Sequence, residues 1–81
     1  MTNDVPTYGY SITVPIGNYR SRKYESQGHL SIASARWSVA SAIVQDLDLT
    51  KDLTVREHLL RTIIFELGYS IEKLRSGKVI P

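Results

Sequence analysis

The sequence predicts an α+β fold: an N-terminal β-hairpin packed on two main helices, followed by a short third helix, the whole forming a dimer. Three observations carry this reading. Tyr8, Tyr10, Ile12 and Val14 alternate with Gly9, Ser11 and Thr13, the period of a half-buried strand. Val55, Leu59, Ile63 and Leu67 recur at every fourth position, with Leu60 and Ile64 widening the stripe, the period of a helix with one buried face. Between them Ile32, Ala35, Val39, Ile43 and Leu47 keep the same helical spacing. A chain of 81 residues makes one domain near the lower limit for a single core, because small domains bury a smaller fraction of their surface. Self-association into a homodimer would relieve that shortage.

Taken in order, residues 1–7 are polar and read as a loose arm. The hairpin spans 8–25. Pro15, Ile16, Gly17 and Asn18 supply turn residues, and the chain returns with Arg20, Arg22 and Tyr24 on one face and Tyr19, Ser21 and Lys23 on the other. Residues 26–29 read as a connection. Ser31 is placed to cap a helix over 31–47, along which Trp37, Ala40 and Val44 stand beside the apolar stripe. Ala33, Ser34, Ser38, Ser41 and Ala42 give that helix a small-residue surface for close packing. Thr54 with Glu57 forms a capping box for the next helix, whose polar side holds Arg56, Arg61, Thr62 and Glu66. Residues 54–75 are then either one helix that tolerates Gly68 at a cost of ~1 kcal/mol, or a helix-turn-helix broken at Gly68 with Ser70 as the second cap. Residues 76–81 are a tail.

Composition narrows the function classes. Hydrophobic residues at 42% against 22% charged place the chain among globular proteins rather than disordered ones. With no cysteine there is no disulfide, thiolate nucleophile or thiolate metal site, which fits a reducing cytoplasm. No apolar run approaches the ~20 residues of a membrane span, so we expect a soluble protein with no membrane partner. The net charge of +2 is unevenly spread. Arg20, Arg22, Lys23 and Arg36 outnumber Asp4 and Glu25 in the first part, and Arg61, Lys73, Arg75 and Lys78 outnumber Glu66 and Glu72 in the last. Asp46, Asp48, Asp52 and Glu57 dominate the middle, so a polyanion would have to meet the flanks.

Candidate sites follow from those charges. Tyr19, Arg20, Arg22, Lys23 and Tyr24 form a basic run interleaved with aromatics, the composition that neutralises phosphates and stacks on bases; it also reads as a solvated hairpin strand. Lys73 and Arg75 would lie on the second helix of a helix-turn-helix over 60–75, where Ile64 stands in place of the usual small residue. Asp46, Asp48, Thr50, Asp52, Thr54 and Glu57 fall at the ligand spacing of a calcium loop, but Lys51 occupies its glycine position, so an acidic interhelical loop is expected and no metal is assigned. His29 and His58 stand isolated, no glycine-rich phosphate loop follows a strand, and no catalytic residue or cofactor is assigned. These features predict a small non-enzymatic regulatory protein that binds DNA or RNA through the basic aromatic strand. The alternative is a protein-protein interaction module, an adaptor or inhibitor docking on a larger complex.

Overall fold

A computed structural model describes residues 5–77 and has the α+β architecture that the periodicities predict. Strands β1 (Tyr8–Gly17) and β2 (Arg20–His29) pair antiparallel. Three α-helices follow among the described residues, α1 (Ile32–Leu49), α2 (Leu53–Arg61) and α3 (Ile71–Ser76), with a π-helical segment, Thr62–Leu67, continuing α2. No helix among the described residues is long and apolar enough to cross a membrane. Residues 1–4 of the expected arm and 78–81 of the expected tail lie outside the described residues.

The hairpin is longer than the alternation suggests, and both extensions have a local cause. Pro15 pairs within the ladder opposite Ser21 rather than opening the turn. A proline is tolerated because each strand of a two-stranded sheet has an open edge where a missing N–H is not needed. The turn is therefore Asn18 and Tyr19 alone, with Tyr19 held at φ 59°. At the far end, residues 26–29 continue β2 instead of connecting it to α1. Tyr10 faces Ser26 and Tyr8 faces His29, so β2 carries one extra residue there, and Gly28 at φ 80° absorbs the bulge. Gly9 lies opposite: an added Cβ would come within 3.0 Å of the Gln27 side chain and 3.1 Å of the Ser26 carbonyl.

Side-chain alternation decides what the hairpin covers. Val14 and Ile16 on β1 and Tyr24 on β2 are buried, while Ser11, Thr13, Ser21, Lys23 and Glu25 face solvent. Helix α1 packs against both strands and α2 against β1, which makes two layers. One core joins these strands to Val39, Ile43 and Leu47 of α1, Val55 and Leu59 of α2, Ile63 and Leu67 of the π segment, and Leu74 of α3. The small residues that bring α1 close to its neighbours are Ala35 and Ala40, both fully buried; Ala33, Ser34 and Ala42 are exposed.

Helix ends show where local chemistry overrules the expected pattern. Ser31 caps α1 as expected, its Oγ accepting the N–H of Ser34 at 3.0 Å. The cap of α2 is Asp52 rather than Thr54, because its Oδ1 accepts two first-turn N–H groups, from Thr54 at 2.9 Å and Val55 at 3.2 Å. Glu57 is then left to reach Arg61 at 3.6 Å. Thr62, placed on the polar side by periodicity, is buried, and its hydroxyl donates to the His58 carbonyl at 2.9 Å. Gly68 does end the second helical stretch. At φ 76° its N–H, together with that of Tyr69, closes on the carbonyl of Ile63.

Candidate functional site

The polar side chains of the core boundary are largely spent on holding elements together. Tyr24 donates its hydroxyl to Asp46 Oδ2 at 2.5 Å, and Arg22 reaches the same oxygen at 3.1 Å, fastening β2 to α1. Burial first, and then the hydrogen bond to Asp46, push the Tyr24 phenol above its ordinary value. Arg36 lies between the rings of Tyr10 and Tyr69, 6.0 and 5.6 Å from their centroids, and donates to the Leu67 carbonyl at 2.6 Å. Arg56 donates to the carbonyls of Leu47 and Thr50 at the end of α1. Arg75 binds Asp48 through Nη2 at 2.6 Å and Nε at 3.3 Å, and this hydrogen bonding holds the Asp48 carboxyl below the usual range.

These ties separate the residues that the sequence groups together. Tyr19 and Arg20 stand exposed at the hairpin tip, and Lys23 lies on the outer face 3.7 Å from Glu25. Arg22 and Tyr24 share a face, as alternation requires, but that face meets α1. Tyr24 is only 8% exposed, so its ring packs in the core and offers no surface to a base. Lys73 is exposed on α3, while Arg75 is engaged by Asp48. Helix α3 is six residues long and seats Leu74 in the core beside α1, leaving little helix to enter a groove of DNA. The carboxylates of 46–57 are likewise dispersed. Asp46 turns to Arg22 and Tyr24, Asp48 to Arg75 and Asp52 to the first turn of α2, and no metal-holding group of three acidic or histidine side chains forms among the described residues.

What the fold leaves open is a groove of about 610 Å³ between the edge of β1 and the helical layer. Ile12, Thr13 and Pro15 form one wall; His58 and Arg61 of α2, with Thr62, Phe65 and Glu66 of the π segment, form the other. Phe65 is 78% exposed, and Leu60 and Ile64, expected in the buried stripe, are 39% and 41% exposed. The cause is phase: Val55, Leu59, Ile63 and Leu67 already fill the face turned to the core, so Leu60 and Ile64, one position on from Leu59 and Ile63, fall at its margin, and Phe65, two on from Ile63, points away. π-Helical turns are frequently found at functional sites. Sequence periodicity marks Phe65 as off the stripe, but its position beside Ile12 and Pro15 depends on how α2 lies along β1.

Comparison with known protein families, with curated proteins and with solved structures finds no match to this chain.

Proposed function

We propose that this chain is a protein-protein interaction module, a cytoplasmic adaptor or inhibitor that docks on a larger protein through the groove between β1 and α2. The exposed Phe65 ring carries the reading. A large apolar side chain open to water, sharing the groove with Ile12 and Pro15 and rimmed by His58, Arg61 and Glu66, is an anchor within a polar border. Four of the arginines that would attract a polyanion are committed within the fold: Arg22 to Asp46, Arg75 to Asp48, Arg36 and Arg56 to carbonyls.

A photoreactive amino acid at position 65, with the same group at position 23 on the outer hairpin face as control, tests this in cells. A protein adduct at 65 and none at 23 is expected. Adducts between two copies of the chain would identify the groove as a homodimer surface, and no protein adduct at 65 would overturn the reading.

A second reading rests on the hairpin tip. Tyr19 is fully solvent-exposed at 108% and occupies a left-handed backbone position that costs a non-glycine residue about 1–2 kcal/mol. Beside Arg20, and with Lys23 on the adjoining face, that ring is presented as a stacking platform for single-stranded DNA or RNA.

A further inference from the structure

Away from the groove, where the end of β2 meets the start of α1, four side chains form a continuous hydrogen-bonded chain. Ser26 Oγ lies 2.5 Å from His29 Nε2, His29 Nδ1 lies 3.0 Å from Ser34 Oγ, and Ser26 Oγ is 2.9 Å from Ser38 Oγ. The bulge at Gly28 lets Ser26 and His29, three residues apart on one strand, meet through their side chains. Ser34 and Ser38, four apart, share one face of α1. Ser26 and His29 are half-buried and Ser34 is exposed, so the pair is open to a reagent from solution.

Each hydroxyl carries one proton and each neutral imidazole one N–H, so the chain can run in either of two directions. With Ser26 donating to Ser38, His29 Nε2–H donates to Ser26; turning the Ser38 hydroxyl round to donate reverses the chain, so that Ser26 donates to His29 Nε2 and His29 Nδ1–H to Ser34. That arrangement aims the Ser26 proton at a basic nitrogen and fixes the ring through its other nitrogen. A nucleophile, a base within hydrogen-bond reach and a third group orienting the base are the signature of an activated hydroxyl.

We infer that Ser26 and His29 are a nucleophile and general base that take an acyl group from a small activated carboxylic ester, with Ser34 as a positioning residue. Ser26 Oγ attacks the carbonyl carbon as its proton passes to His29 Nε2. The bond to the leaving oxygen breaks, and the alkoxide collects that proton. Water, deprotonated by His29, then displaces the acyl group and returns the serine hydroxyl, so ester and water become acid and alcohol. An activated ester fits because its leaving group departs readily, whereas an amide also demands donors arranged around the developing oxyanion.

The test is acylation of the folded chain by p-nitrophenyl acetate and by a fluorophosphonate probe, read by intact mass and peptide mapping. Adduct is expected on Ser26 ahead of Ser31 and Ser41. His29→Gln keeps a hydrogen-bonding side chain but no base, and should slow acylation ~100-fold, the lower range of a positioned general base. Should His29→Gln fail to fold, Ser34→Ala serves instead: slower Ser26 acylation with an unchanged melt, restored by Ser34→Thr, supports the assignment. Labelling spread evenly over the serines, or a Ser26 rate indifferent to both substitutions, overturns it.

Discussion

Tyr24 gives its hydroxyl to Asp46 Oδ2 across 2.5 Å, and this bond fixes which side of β2 the fold uses. Because Tyr24 sits opposite Ile12 and on the same face as Val14 and Ile16, its ring belongs to the core, while its oxygen needs a partner at the core boundary. Asp46 on α1 supplies it, and Arg22 balances the carboxylate from the same strand face.

Tyr24→Phe should therefore cost ~1.5–3 kcal/mol, the range for a hydrogen bond to a charged group. It should also change the response to alkali. Burial and the bond to Asp46 raise the Tyr24 phenol above 10.0, so the folded state holds the proton more tightly than the unfolded chain. That contribution is complete below pH 10.0 and is lost as pH rises through the raised value. Urea melts on both sides of pH 10.0 should show wild type losing more stability than Tyr24→Phe. Parallel losses would mean that the phenol is not perturbed by its setting.

The helical face is tested by two neighbours. Ile63 is 0% exposed in the core, so Ile63→Ala should cost ~2–5 kcal/mol through lost burial and the cavity left behind. Phe65, two residues on and facing the groove, should tolerate alanine within ~0.5 kcal/mol. Equal destabilisation by both would place Phe65 in a packed environment and remove the groove.

Gly68 offers a backbone test. An added Cβ would meet nothing within 4 Å, so the cost of Gly68→Ala should come from φ 76° alone, about 1–2 kcal/mol. Asparagine, which tolerates the left-handed region, should cost less than alanine in the same melts. If alanine is neutral, the π segment does not need its left-handed stop.

Much of this architecture was legible because it depends on period. The strand at Tyr8, the Ser31 cap and the stripe through Val55 and Ile63 each follow from spacing along a single element. The extension of β2 did not, since Ser26, Gln27, Gly28 and His29 lack apolar alternation and are held in strand by pairing with Tyr8 and Tyr10. Thr54 and Glu57 have the spacing of a capping box, but Asp52 takes the cap because its carboxylate serves two N–H groups at once. The groove was beyond reach for another reason. Phe65, His58, Ile12 and Pro15 are each unremarkable in sequence, and only the placement of α2 against β1 brings them together. The same holds for Ser26, His29, Ser34 and Ser38, which meet only because a bulge turns the end of β2 toward α1.

The last prediction separates the two proposed functions. Alternation alone pairs Arg20 with Arg22 as phosphate contacts, but Arg22 is bound to Asp46, so the hairpin's contribution to a nucleic acid falls to Arg20 and to Lys23, which is exposed and only loosely paired with Glu25 at 3.7 Å. If the tip binds nucleic acid, Arg20→Ala with Lys23→Ala should weaken duplex binding for all sequences and flatten the dependence of log K on log salt by roughly 0.9 per lost phosphate contact. Tyr19→Ala should lower single-strand affinity by ~1–3 kcal/mol, the worth of one stacked base, and leave folding intact because the ring touches solvent only. Arg22→Ala and Tyr24→Ala should instead register as losses of stability, since they remove the tie to Asp46 and part of the core. The interaction-module reading expects no binding to duplex DNA, single-stranded DNA or RNA at physiological salt, and a partner lost on Phe65→Asp. Salt-sensitive nucleic-acid binding that depends on Tyr19 and Arg20 but ignores Phe65→Asp would transfer the function from the groove to the tip.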